Sequence, residues 1–134
     1  MKKIIFNSSM PRSGSELLQV ILNQNPDIYG SVTSPLFEYI NQIRICQETP
    51  EVKSQNTKIM YNSLLSTCLY TMVGFYKPMT QKPIVCDKSR QWMWQYDFLS
   101  KIINKKPKMI CMVRDLRDIF ASMEMNWRKN RHLP

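Results

Sequence analysis

Three short apolar runs constrain what this chain can fold into: "KIIF" (Lys3–Phe6), "PIVC" (Pro83–Cys86) and "KMICMV" (Lys108–Val113). Each is too short for a buried helix and apolar throughout, the pattern of a strand covered on both faces. Each stops in polar residues: Asn7-Ser8-Ser9, Asp87-Lys88-Ser89-Arg90 and Arg114-Asp115. Helical patterns lie between them. Ser15 to about Gln24 places Leu17, Leu18, Ile21 and Leu22 on one face, and "NQNPDIYG" stops it at Pro26. Pro35–Gln47 begins with Pro at a first helical position. From near Thr57 to Pro78 one stripe carries Leu65, Cys68, Leu69, Met72, Val73 and Tyr76. Trp92–Asn104 follows, and then Leu116–Lys129, capped by Asp115, with Ile119, Phe120, Met123 and Trp127 on one side. This alternation predicts an α/β, P-loop-like three-layer domain spanning 1–134, with about three parallel strands flanked by helices. Ligands of such sheets sit beyond the carboxyl ends of the strands, so the three polar ends are expected to share one crevice.

Charge and cysteine usage narrow the partners. The chain has 134 residues with 19 Lys/Arg against 10 Asp/Glu, a net +9 that suits an anionic ligand. The basic residues are spread out and not interleaved with aromatics, so nucleic acid is not expected. Cys46, Cys68, Cys86 and Cys111 form no C-x-x-C pair and His132 stands alone, so no metal site is expected. Cys86 and Cys111, inside apolar runs, read as core residues. The first apolar run is too short for a signal peptide and no stretch has the length of a membrane span, which reads as a soluble, cytoplasmic protein.

Three segments carry chemistry. In "IIFNSSMPRSGSELL" a strand gives way to a Ser/Pro/Arg/Gly loop and then a helix. A glycine at such a turn lets backbone N–H groups approach an anion at the positive end of the helix dipole. The usual phosphate loop carries Gly-Lys-Ser/Thr at its end, whereas here Arg12 precedes Gly14 and no Lys follows. The segment reads either as an anion cradle or as an ordinary turn with an exposed Arg. In "CMVRDLRDIFASME" Arg114 leaves a strand and Ser122 follows eight residues later on a helix. The two can grip one phosphate, or Arg114, Asp115, Arg117 and Asp118 can form a solvated ion-pair cluster. In "PIVCDKSR", Asp87-Lys88 reads as surface charge, as a catalytic pair or as a magnesium-binding aspartate with its neighbour.

Taken together these segments resemble the sulfotransferase family, which transfers the sulfuryl group of 3′-phosphoadenosine 5′-phosphosulfate (PAPS) to an acceptor. "MPRSGSELL" looks like the family's 5′-phosphosulfate loop and "VRDLRDIFASM" like its 3′-phosphate motif. "CDKSR" is similar to a D/N-K-[ST] segment between the two. The "MPRSG" and "NPDIYG" spacing is most similar to the tyrosylprotein sulfotransferase branch and its bacterial and viral relatives. The resemblance implies that Arg12 meets the oxygen bridging phosphate and sulfate. It implies that Ser13, Gly14, Ser15 and the Glu16 backbone take the 5′-phosphate, Arg114 and Ser122 the 3′-phosphate, and that Lys88 stabilises the transferring group. The acceptor is then a small-molecule, carbohydrate or protein hydroxyl, or an amine, and no metal is required.

The sequence departs from the family pattern at two positions. No acid follows "NPDIYG" where that branch keeps its glutamate base; Glu38 is the nearest carboxylate, Asp87 a second candidate and a base from a missing segment a third. Glu16 stands where the family prefers Ser or Thr, and its carboxylate is expected to point outward, away from a bound phosphate. The resemblance reaches the front half of a typical member, so a further segment, a partner or a second copy is expected to complete the site. The alternatives are a catalytically incomplete PAPS-binding fragment and a P-loop nucleotide kinase using Asp87 for magnesium.

Overall fold

The structure, a computed structural model, describes residues 2–55 and 57–130; His132 and the end of the basic tail lie outside them. Four parallel strands, β1 (Lys3–Asn7), β2 (Ile28–Gly30), β3 (Ile84–Lys88) and β4 (Met109–Ile110), lie in the order β2-β3-β1-β4. The helices are α1 (Ser15–Asn23), α2 (Leu36–Cys46), α3 (Pro50–Ser54), α4 (Lys58–Tyr76), α5 (Tyr96–Ile103) and α6 (Leu116–Asn130), with a 3-10 turn at Trp92–Gln95 before α5. The architecture is the α/β layered sheet that the alternating pattern predicts.

Register sets what each strand residue faces. Ile4 pairs with Val85 and Phe6 with Asp87, while Ile5 pairs with Cys86, which pairs with Gly30. Side chains alternate across a strand, so these two sets lie on opposite faces. The first set faces the main core, where Phe6, Val85, Leu36, Ile40, Met72, Trp92 and Leu99 are buried. Trp92 is its keystone, edge-on to Phe6 at 4.9 Å and to Phe37 at 5.1 Å. The second set faces α1, where the fully buried Gln19 reaches Cys86 Sγ at 3.5 Å.

The structure corrects several expectations. β2 is an additional strand inside the segment read as a helix stop; three residues carry too little pattern to be seen alone. It is held from outside, by pairing with β3 and by Asn23, whose side chain bonds both the N–H (2.9 Å) and the carbonyl (2.7 Å) of Gly30. Lys82 Nζ also binds the carbonyls of Asn23, Asn25 and Ile28 at 2.9–3.1 Å, a cation at the negative end of α1. The short helix α3 also goes beyond the sequence reading. α1 turns Ser15 and Gln19 to the sheet, not the expected apolar set, and Leu17 and Ile21 are exposed.

At the other edge β4 covers two residues instead of six, and Cys111 is exposed while Cys86 is buried. Beyond Ile110 the neighbouring β1 has already turned into its loop, and the Met112 N–H bonds the Ser9 hydroxyl at 2.9 Å instead of a ladder carbonyl. Of the expected α6 stripe only Ile119 is buried; Phe120, Met123 and Trp127 are exposed, and Ser122 shares the buried side with Ile119.

Gly30 has a packing role that can be tested. A Cβ there would lie 2.5 Å from Gln19 Oε1 and 2.7 Å from the Gln19 carbonyl oxygen. Gly30→Ala is expected to destabilise the protein by about 1–3 kcal/mol, as overpacking does, read as a lower urea midpoint. An unchanged midpoint contradicts this.

Candidate functional site

Beyond the carboxyl ends of the strands lies an open cavity of about 900 Å³. Each strand contributes to it through the loop that follows. The β1 loop brings Met10, Arg12, Gly14, Ser15 and Glu16; the β2 loop and the start of α2 bring Val32, Thr33 and Glu38. The end of β3 brings Lys88, Arg90 and Trp94, and the β4–α6 segment brings Arg114 and Ser122. Four cations (Arg12, Lys88, Arg90, Arg114) face two carboxylates (Glu16, Glu38), so the lining favours an anion.

The β1 loop is a tight turn into the start of α1. Arg12 has φ 61° and Gly14 φ 91°, two left-handed residues that fold the chain back on itself before α1. Ser13 is pinned inside the turn, its hydroxyl donating to the Met10 carbonyl at 2.7 Å. The first N–H groups of α1 have no acceptor within the helix and sit at its positive end. A non-glycine residue in the left-handed region is strained. Here a clasp holds it: Arg114 Nη1 donates to the Arg12 carbonyl at 3.1 Å, and Arg12 Nε donates to Ser122 Oγ at 3.0 Å. The loop and the β4–α6 corner, far apart in sequence, therefore form one unit.

The ion-pair reading of the corner describes part of it. Asp115 caps α6 by accepting the Arg117 N–H at 2.8 Å, and it also pairs with the exposed Arg117 guanidinium at 2.8 Å. Those bonds hold the Asp115 carboxyl below the usual range. Arg114 lies 3.8 Å from Asp118, a loose pair that leaves its guanidinium turned to the loop.

Asp87 and Lys88 part company, because adjacent residues of a strand point to opposite faces. The sequence reading ends β3 at Cys86; the strand continues through Lys88. Asp87 thus enters the main core, fully buried, with its oxygens bonded by the Tyr76 hydroxyl and by Trp92 Nε1 at 2.6 Å. It is neither surface charge nor a lining residue of the cavity, which removes it as a base and as a magnesium ligand there. Burial raises its pKa against the opposing effect of its hydrogen bonds. Lys88 turns to the α1 side and pairs with Glu16 at 3.1 Å. The Glu16 carboxylate is exposed, as expected, yet its oxygen reaches back to Lys88 at the cavity mouth instead of pointing away.

Glu38 lines the cavity from the first turn of α2, exposed to solvent. Arg90 and Trp94 join the lining although the sequence reading gave them no role. Arg90 stands in the quoted "CDKSR", but Trp94 looked like part of a helix, and only the 3-10 turn directs it to the cavity.

The site is thus an open cavity at the carboxyl edge of a parallel α/β sheet, lined by cations from the β1 loop and from two further strand ends. A sulfotransferase family model matches residues 5–133, and the chain belongs to that family. Its general chemistry is therefore sulfuryl transfer. Comparison with curated protein sequences returns no significant match. Among the described residues no helix is long and apolar enough to cross a membrane.

The buried carboxyl gives a pH prediction. The folded pKa of Asp87 lies above its unfolded value, so proton uptake favours the fold. That contribution is complete below the ordinary carboxylate pKa and is lost as pH rises through the raised folded value. Urea unfolding of wild type and Asp87→Asn between pH 5 and pH 8 is expected to show wild type gaining relative stability on acidification. Parallel pH profiles contradict the assignment.

Proposed function

We propose that this protein transfers the sulfuryl group of PAPS to a hydroxyl or amine acceptor, in the manner of the tyrosylprotein sulfotransferase-like branch. The observation that carries this is the clasp between the Arg12 loop and the Arg114–Ser122 corner, which joins two segments bearing cations and hydroxyls on one cavity. A donor with phosphates at both its 5′ and 3′ positions needs two such segments; a nucleotide with a single phosphate chain needs one. PAPS supplies an activated sulfuryl group joined to its phosphate through one bridging oxygen.

In this reading the N–H groups of Gly14, Ser15 and Glu16 and the hydroxyl of Ser15 hold the 5′-phosphate; Ser13, expected there from the sequence, is buried with its hydroxyl on Met10 and holds the turn instead. Arg114 and Ser122 hold the 3′-phosphate. Arg12 spans the two and places its guanidinium against negative charge developing on the bridging oxygen, as preorganised donors stabilise a departing group. Lys88 neutralises the oxygens of the group in transfer. To do so it leaves Glu16, a partner with an exposed carboxylate and a pair worth no more than about 1 kcal/mol. Glu38 takes the proton from the acceptor as the new S–O or S–N bond forms and the bridging bond breaks. Charged hydrogen bonds of roughly 1.5–3 kcal/mol each, with in-line positioning, account for a large acceleration without a metal.

The acceptor is a small molecule, a carbohydrate or a protein. Four free thiols suit a reducing compartment, and we place the protein in the cytoplasm.

Calorimetric titration with 3′,5′-bisphosphoadenosine beside ATP–magnesium tests the donor class. Tight binding of the first alone is expected; binding of ATP–magnesium alone contradicts the proposal. Arg12→Ala is expected to abolish transfer while leaving nucleotide affinity mostly intact. Arg114→Ala should weaken 3′,5′-bisphosphoadenosine far more than AMP, and equal losses for both would remove Arg114 from the 3′-phosphate.

A further inference from the structure

The cavity is asymmetric along the sheet edge. With the strand order β2-β3-β1-β4, the clasp of Arg12, Arg114 and Ser122 occupies the β1/β4 side. The β2/β3 side carries Glu38, Val32 and Trp94, and among these Trp94 stands out as 82% exposed. Single exposed apolar residues are ordinary. This one differs in lining a charged cavity and in standing on a turn whose backbone is fastened. The Trp94 N–H bonds the Gln91 carbonyl at 3.0 Å, and the Met93 N–H bonds the Ser8 hydroxyl at 3.0 Å. On one side Trp92 is buried with its indole N–H on Asp87; on the other Gln95 Nε2 bonds Asn41 at 2.9 Å. Every neighbour of Trp94 in the 3-10 turn is fastened, while Trp94 itself lines the cavity and is open to solvent.

We infer that Trp94 is the acceptor platform: a flat ring bearing the accepting hydroxyl stacks on its indole, with the hydroxyl directed between Glu38 and Arg12. This rests on the sulfuryl-transfer reading of the same cavity. The occupant is a ring because an exposed indole face rewards a flat, apolar face, either an aromatic ring or the C–H face of a sugar, and offers little to a flexible chain. Val32, 46% exposed on the same side, and Met10, 51% exposed on the β1 loop, extend the apolar wall. Trp94 is then a specificity residue that touches the acceptor and leaves the donor alone.

The test uses wild type, Trp94→Ala and Trp94→Phe. Each is titrated calorimetrically with p-nitrophenol, with methyl β-glucoside and with 1,4-butanediol, in the presence and absence of saturating 3′,5′-bisphosphoadenosine. At least one ring probe is expected to bind wild type, and which one does so identifies the acceptor as aromatic or saccharide. Its affinity should fall about tenfold in Trp94→Ala and stay within about threefold in Trp94→Phe, as loss and retention of one stacking face predict. The diol should not discriminate among the three proteins. Ring probes that bind Trp94→Ala as tightly as wild type, or that fail to bind wild type at all, overturn the platform. Affinity for 3′,5′-bisphosphoadenosine should be the same in all three. If that nucleotide fails to bind, the donor assignment falls, and the ring titrations without nucleotide still decide the role of Trp94.

Discussion

Asp87 lies fully buried at the end of β3, one oxygen bonded by the Trp92 indole and the other by the Tyr76 hydroxyl. A carboxylate in such a place costs several kcal/mol unless it is hydrogen-bonded, and each bond to it returns roughly 1.5–3 kcal/mol. Its partners come from α4 and from the 3-10 turn, and Tyr76 in turn bonds Ser34 beside α2 at 3.1 Å. One carboxyl therefore fastens the end of β3 to the segments that carry Trp94 and Glu38. Lys88, the next residue, is aimed at the cavity because Asp87 is aimed at the core.

The second constraint is the strained turn at Arg12. Left-handed geometry at a non-glycine residue costs on the order of 1–3 kcal/mol, and it persists only where surrounding structure holds it. Here Arg114 grips the Arg12 carbonyl and Ser122 grips its guanidinium. Strain, cation placement and helix dipole thus converge on the same few residues, which links the fold of the β1 loop to the donor it is proposed to hold.

Much of this was readable from residues alone. The alternation of apolar runs and helical stripes specified a parallel α/β sheet, and Arg12, Gly14 and Ser15 of the first loop and the Arg114–Ser122 spacing marked residues that the fold brings onto one cavity with Lys88 and Glu38, while Ser13 is buried in the turn. Features that depend on a neighbour were not readable. β2 exists because β3 and Asn23 hold it, and β4 ends early because the Ser9 hydroxyl takes the next N–H. Cys111 is exposed for that same reason, although its sequence context matches that of the buried Cys86.

The sequence by itself determined the layer architecture and the residue types of the β1 loop, because periodicity and local turn chemistry act within a few residues. Tertiary structure alone decided that Asp87 is a core residue while Lys88 faces the cavity, that Arg12 is tied to Ser122, and that Trp94 is displayed while Trp92 is buried. Those outcomes follow from strand register and from a 3-10 turn fastened by distant partners. Such contacts are made between residues tens of positions apart, and no local pattern encodes them.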